Sequence, residues 1–218
     1  MRDVSEFKDI HKGERCFIIG TGPSLNNTNL TMLKDEIIFG VNTLYLGLAR
    51  FKIKPRYWGI SDPQIIKDHY KQIFTLDTTV FLAHHARKYY VANSNLFKQY
   101  QVPVLLNSAG RFSTDLAKGV ACGMTVTYDI CLQAAYYMGF DRVYLVGVDA
   151  DYSGAATHFY NNPDKRGKSI NQKRPFEAYS SARKVFEADN REIINCTVGG
   201  KLEVFKRKKL EEILNEKC

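Results

Sequence analysis

Three stretches of the sequence bring glycine, hydroxyl and carboxylate groups together at spacings suited to a phosphate ester. The first is Gly20-Thr21-Gly22-Pro23-Ser24. Two glycines let a backbone approach a phosphate closely, and N–H groups with the hydroxyls of Thr21 and Ser24 can hold its oxygens. The pattern lacks the third glycine of the dinucleotide fingerprint and the Gly-Lys-Ser/Thr of a P-loop. A tight turn that serves packing alone is the alternative. The second stretch is Ala121-Cys122-Gly123-Met124-Thr125-Val126-Thr127, a small-residue turn entering a helix. Gly123 and Thr125 there form another anion seat, unless the threonine simply caps the helix.

The third stretch is the densest. Gly147-Val148-Asp149-Ala150-Asp151-Tyr152-Ser153-Gly154 is followed by Thr157-His158-Phe159-Tyr160. Asp149 and Asp151, one residue apart, can share a Mg²⁺ or Mn²⁺ ion or hold a nucleotide sugar. Tyr152 and Tyr160 can donate hydrogen bonds to a leaving phosphate, and His158 is the candidate general base. Asn42 and Asp62 complete the set: an amide can read a base or ribose, and a carboxylate can take a ribose hydroxyl. Both residue types also serve as helix N-caps, and Asp62 before Pro63 suits that use well. His84-His85 suggest a metal pair, but adjacent side chains diverge and acidic or cysteine partners are missing nearby.

These residues share an edge only if the elements before them are parallel strands, because ligands of open α/β sheets bind beyond the strands' carboxyl ends. Short apolar runs at 15–20, 37–42, 56–63, 80–83, 102–106, 142–149 and 193–197 read as strands. Helical spacing recurs at 43–51, 64–74, 125–138, 175–190 and 210–214. Gly139 is placed to end the third of these helices, and Pro63 falls in the first turn of the second. The alternation predicts one α/β domain over 1–218, a doubly wound, mostly parallel, Rossmann-like sheet flanked by helices. A small lid-like insertion is expected at about 84–121, and a loop at about 150–174.

Composition narrows the setting. With 44% hydrophobic and 25% charged residues the chain is of ordinary globular type. No apolar run nears the roughly 18–20 residues needed to span a bilayer, and no signal-peptide pattern opens the chain. A cytoplasmic protein is expected, peripheral at most to the inner face of a membrane. Five scattered cysteines without a Cys-x-x-Cys pair suit reduced, buried thiols. Part of the net charge of +8 lies in Lys165-Arg166-Gly167-Lys168 with Lys173-Arg174, and in Lys206-Arg207-Lys208-Lys209. Such clusters suit phosphorylated substrates or an anionic membrane, or are a solvated face; nucleic acid is not the expected partner.

Phe17 to Leu25, Thr125 to Ile130, Ala135 to Phe140 leading into Val143 to Asp149, His158-Phe159-Tyr160, and the tail Ile193 to Phe205 together resemble the DUF115 family. Its members are called 6-hydroxymethylpterin diphosphokinase MptE-like, and many resemble proteins of bacterial surface-glycan pathways. A more distant resemblance is to the family 42 sialyltransferases. There a Gly-Pro-Ser-Leu turn and an Asn after the second strand hold a CMP-sugar, phenols after a Gly-x-Asp strand end assist departure of CMP, and a histidine is the base. This resemblance implies nucleotide contacts for Gly22, Pro23, Ser24 and Asn42, and leaving-group roles for Tyr152 and Tyr160. It does not carry over to His158, since that family places its histidine in a later helical segment. Asp62-Pro63 stands where those enzymes have Asn-Pro.

The expected function is a glycosyltransferase moving a sugar from a nucleotide donor, CMP-linked, to a surface-glycan or lipid-linked acceptor. The basic C-terminal helix would approach that acceptor or the membrane. No tightly bound cofactor is expected. Two alternatives stay open: Mg-dependent pyrophosphoryl transfer from ATP to a hydroxymethyl pterin through Asp149 and Asp151, and a non-catalytic nucleotide-binding protein of glycan biosynthesis. Homo-oligomer formation is compatible with each.

Overall fold

The computed structural model describes residues 2–73, 75–83, 101–107, 111–151, 157–160 and 173–215. Strand β1 (Arg15–Ile19) leads through the glycine turn to β2 (Ile38–Val41), a 3₁₀ turn (Leu44–Gly47) and the single helical turn α1 (Leu48–Phe51). Then come β3 (Tyr57–Ile60), α2 (Pro63–Ile73), β4 (Thr79–Ala83), β5 (Gln101–Val104), β6 (Leu106–Asn107) and β7 (Val120–Ala121). A π-helical segment (Thr127–Leu132) runs into α3 (Gln133–Tyr137) and β8 (Arg142–Val146). The chain closes with α4 (Lys173–Ala188), β9 (Glu192–Asn195), β10 (Lys206–Arg207) and α5 (Leu210–Asn215).

The main sheet has the order β10-β9-β8-β1-β2-β3-β4-β5, and its pairings are parallel. β6 and β7 form a separate two-stranded parallel sheet. The order reverses direction between β1 and β8, so the switch point that opens a ligand crevice in such sheets lies at their carboxyl ends.

Alternation along the strands explains the two helical layers. Cys16, Ile18, Phe39, Val41, Phe81 and Leu145 face the helix over 127–137 and Phe186 of α4. Their neighbours Phe17, Ile19, Ile38, Trp58, Tyr144 and Val146 face Leu25, Leu44, Ile66, Ile73 and Ile213 on the other side. Side chains of period two from strands buried on both faces give this pattern, and each face needs its own cover.

The anticipated doubly wound α/β architecture is the one observed. Gly139 ends α3 at φ 90°, with its N–H donating to Tyr136 O and that of Phe140 to Ala135 O. Pro63 opens α2. The helix expected over 43–51 is divided into a 3₁₀ turn (Leu44–Gly47) and one α-helical turn (Leu48–Phe51), and a Cβ on Gly47 where they join would run into the rings of Phe51 and Phe159. Within the expected insertion, 101–107 includes edge strand β5 of the main sheet, and 84–100 and 108–110 lie outside the described residues, as do His84 and His85.

The basic tail also differs from expectation. Lys206 and Arg207 form edge strand β10, and Arg207 donates to the carbonyls of Thr197, Gly199 and Leu202. The helix α5 that follows begins with Glu211 and Glu212, so it does not present a basic face from its first turn. Among the described residues, no helix is long and apolar enough to cross a membrane.

Close packing makes one substitution diagnostic. A Cβ on Gly40 of β2 would lie 2.5 Å from the Trp58 ring, and the indole N–H donates to Asn42 O at 3.2 Å. Gly40→Ala is therefore expected to lower stability by about 1–3 kcal/mol. Urea unfolding monitored by fluorescence of this sole tryptophan checks it, and an unchanged midpoint would contradict the packing described.

Candidate functional site

The ends of β1 and β8 meet in a dense cross-tie. Gly20 N–H donates to Val146 O at 2.8 Å and Gly22 N–H to Gly147 O at 2.9 Å. Ser24 donates to the Asp149 carboxylate twice, from its N–H at 3.1 Å and from its hydroxyl at 2.7 Å. A Cβ on Gly22 would overlap Asp149 Oδ2, and one on Gly20 would overlap Gly147 O. Both glycines are thus required by the approach of one turn to the other. Pro23 opens the 3₁₀ turn Pro23–Asn27 that presents the Ser24 donors.

These contacts correct one expectation. Free N–H groups are expected in this turn for a phosphate, whereas those of Gly20, Gly22 and Ser24 are engaged by protein acceptors. The seat at the turn is filled by Asp149, 9% exposed, whose carboxyl burial pushes above its ordinary value while Ser24 pulls it back. Thr21 contributes its carbonyl, which accepts from Phe159 N–H at 2.9 Å.

The carboxylate pair is likewise divided. Asp149 turns into the glycine corner, whereas Asp151 pairs with Lys201 Nζ at 3.0 Å. Among the described residues no three His, Cys, Asp or Glu side chains group in a way that would hold a metal ion. The shared-metal arrangement thus has each carboxylate facing its own protein donor.

The second glycine turn is a packing device as well. Gly123 N–H donates to Asp129 Oδ1 at 2.6 Å, and a Cβ there would lie 2.5 Å from Ala178 of α4. Thr125 donates its hydroxyl to Tyr179 at 3.0 Å and accepts from Tyr128 N–H at 3.4 Å, capping the π-helical segment. The anion seat expected at Gly123 and Thr125 is therefore closed by internal bonds. Asp62 is exposed and caps α2, accepting from Gln64 N–H at 2.7 Å and Ile65 N–H at 3.3 Å. The capping alternative is the one its geometry displays.

Asn42 is different. It follows β2 directly, adopts a left-handed φ of 45°, and its Oδ1 is buried with no hydrogen-bond partner. Asparagine tolerates this φ, but a buried acceptor without a donor is uncommon and calls for an explanation. Next to it, Thr43, 2% exposed, shares a 2.6 Å hydrogen bond with the Tyr160 hydroxyl. Phe159, 8% exposed, packs its ring 5.1 Å from Phe51. Phe159 thus pins the short segment 157–160 across the β1 and β2 loops and leaves His158 and Tyr160 at the rim. The His158 and Tyr160 rings are 5.2 Å apart, and His158 Nδ1 lies 2.9 Å from Thr157 Oγ1. Tyr152 lies outside the described residues.

Sequence reasoning passed over Asp129, Ser61, Thr43 and Tyr45. Asp129, 3% exposed, accepts from Gly123 and bonds Ser61 at the end of β3, joining two rim turns. Its one signal was a lone acid within the apolar run Tyr128-Asp129-Ile130-Cys131-Leu132. Tyr45 shares a 2.8 Å hydrogen bond with His69, and burial followed by the nearby Tyr160 raises its phenol pKa.

Asp129 gives the rim a pH signature. Burial pushes its carboxyl from 3.8 up to about 6, against the lowering effect of the Gly123, Ser61 and Thr125 bonds. The folded chain holds this proton more tightly than the unfolded chain. That contribution is fully present below about pH 4 and lost as pH rises through about 6, with an upper limit of about 3 kcal/mol. Urea unfolding between pH 4 and 7 should show stability falling across this window, and Asp129→Asn should flatten the fall. A slope identical in the two proteins would refute the assignment. Separately, Ser24→Ala leaves the buried Asp149 carboxylate with one Ser24 donor in place of two and should cost about 1–3 kcal/mol at pH 7.

No curated protein matches the sequence. The MAf glycosyltransferase from Magnetospirillum magneticum AMB-1 superposes at a TM-score of 0.59 with 16% identity, covering 94% of this chain and 37% of its own. The present chain thus spans little more than a third of that enzyme's length. The sialyltransferase CstII from Campylobacter jejuni, solved with the substrate analogue cytidine-5'-monophosphate, superposes at 0.57 with 13% identity, covering 90% of this chain and 85% of its own. At such identities the likeness is one of fold. A protein-family model for 6-hydroxymethylpterin diphosphokinase MptE-like proteins matches residues 1–155, and the chain belongs to this MptE-like family.

Proposed function

We propose that the chain is a glycosyltransferase of sialyltransferase-like fold, moving a sugar from a CMP-linked donor to a surface-glycan or lipid-linked acceptor at the inner face of the membrane. One observation carries the reading: the buried, unpartnered Oδ1 of Asn42 stands beside the Thr43–Tyr160 pair at the carboxyl rim. A buried acceptor without a donor costs about 1–3 kcal/mol, which a nucleobase amino group or ribose hydroxyl would recover on binding. The likeness in fold to CstII, which was solved with CMP, supports a nucleotide as that ligand.

In this mechanism the bond between the anomeric carbon and the donor phosphate oxygen breaks, and negative charge gathers on the departing phosphate. Thr43 can donate to the Tyr160 oxygen, which leaves the phenolic proton for that phosphate. His158 takes the proton of the acceptor hydroxyl as its oxygen bonds to the anomeric carbon. Tyr152 would add a second phenol. The Asp149 cross-tie holds the β1 corner in place while charge is displaced above it. No tightly bound cofactor is invoked; a Mg²⁺ or Mn²⁺ ion would have to draw Asp151 away from Lys201.

Membership of the MptE-like family favours one second reading, Mg-dependent pyrophosphoryl transfer from ATP to a hydroxymethyl pterin. Thermal unfolding with CMP, UDP, GDP, or ATP plus Mg²⁺ separates the two. A ligand at a hundredfold excess over its Kd stabilises by about 2.7 kcal/mol, roughly 5–10 °C for a chain of this size. CMP is expected to give that shift; a shift with ATP and Mg²⁺ alone would replace the glycosyltransferase reading by the second one. Tyr160→Phe should lower kcat by roughly 10²-fold with CMP affinity little changed.

A further inference from the structure

His158 and Tyr160 flank Phe159, and the backbone of Phe159 is held by groups that lie outside the site. Phe159 is gripped on both sides of its peptide: its N–H donates to Thr21 O at 2.9 Å, and its carbonyl accepts from Asn26 Nδ2 at 3.1 Å. The Asn26 amide is itself oriented. Arg50 Nη1 donates to Asn26 Oδ1 at 2.7 Å, and an acceptor committed to a guanidinium leaves the NH₂ end of the amide for the Phe159 carbonyl. Arg50 is placed in turn, with its guanidinium carbon 5.2 Å from the centre of the Phe51 ring, the ring that meets Phe159 edge-on. Arg50, Phe51, Asn26 and Phe159 thus close a loop of contacts between α1, the β1 corner and the segment 157–160.

We propose that Asn26, oriented by Arg50, is a positioning residue that fixes the His158–Tyr160 segment over the nucleotide crevice from outside it. The proposal rests on the transferase reading for its consequence in catalysis, while its structural content stands independently. Asn26, two residues beyond Ser24 in the 3₁₀ turn Pro23–Asn27, and Arg50 of α1 are both exposed; their work is to hold Phe159 O, so that the Tyr160 phenol meets Thr43 beside Asn42. A side chain acting in this way should influence turnover more than affinity, because the phenol is needed when charge develops on the departing phosphate.

Amide hydrogen exchange and kinetics on Asn26→Ala, Arg50→Met and Arg50→Lys test this. In Asn26→Ala the Phe159 amide should exchange roughly tenfold faster, with the amide of Leu145 in β8 unchanged, since one local hydrogen bond is removed. Turnover of a CMP-sugar should fall roughly tenfold while the Kd for CMP stays within about threefold of the native value. Arg50→Met should follow in the same direction, and Arg50→Lys, which keeps a cationic donor, should recover part of the loss. Exchange at Phe159 unchanged in Asn26→Ala would overturn the proposal, as would equal acceleration at Phe159 and Leu145. If the native protein fails to bind CMP, the transferase reading falls, and the exchange experiment still decides whether Asn26 positions the segment.

Discussion

The structure turns on the contact between the ends of β1 and β8. The strand order of the main sheet reverses there, where β8 lies beside β1. The Asp149 carboxylate lies at this contact and is held by two donors from Ser24. Burying a carboxylate is costly unless its lone pairs are met, so the Ser24 donors and the two glycines that admit the carboxylate form one arrangement. The rest of the rim is built outward from it. Asp149 O accepts from Lys201 N–H, which draws the loop after β9 to the same edge. Thr21 O accepts from Phe159 N–H, which draws in the segment 157–160.

A second carboxylate repeats the design one layer away. Asp129 ties Ser61 at the end of β3 to the Gly123 turn, and lies in the π-helical first turns of the helix leading to α3. π-Helical segments are rare and are found frequently at functional sites, where the wider turn re-aims a side chain. In each case a glycine corner that looks in sequence like a cradle for a ligand anion holds an anion of the protein itself. The N-terminal turn of a helix favours negative charge whatever its source, and an intramolecular carboxylate is always present.

That equivalence explains what was legible in the sequence. Strand and helix positions were read from apolar periodicity, and the buried faces of Phe17/Ile19 and Cys16/Ile18 follow from alternation alone. The punctuation at Gly139 and Pro63 was legible because glycine and proline act through their own backbone restrictions. The anion at the Gly20–Ser24 corner was not, because the geometry that binds a phosphate also binds Asp149, which lies 125 residues from Ser24. Short elements were missed for a related reason. β10 is two residues long and is fixed by Arg207 reaching three carbonyls, an arrangement that leaves no period in the sequence. Thr43 and Asn26 matter through partners 117 and 133 residues away, and no local pattern marks them.

With the glycine corners internally satisfied, Asn42 becomes the informative residue of the rim. Around it the polar groups have been matched with care: Asn42 N–H donates to Gly59 O, its carbonyl accepts from Trp58, and the hydroxyl of neighbouring Thr43 meets Tyr160. Only its side-chain oxygen is left buried and unmatched, on a residue held at positive φ. An unmet acceptor at the carboxyl edge of a parallel sheet is understood if a ligand supplies the missing donor. On the proposed reading, the site is defined less by groups reaching toward a phosphate than by one acceptor that lacks a donor, and the nucleoside is then the part of the ligand that this acceptor would meet.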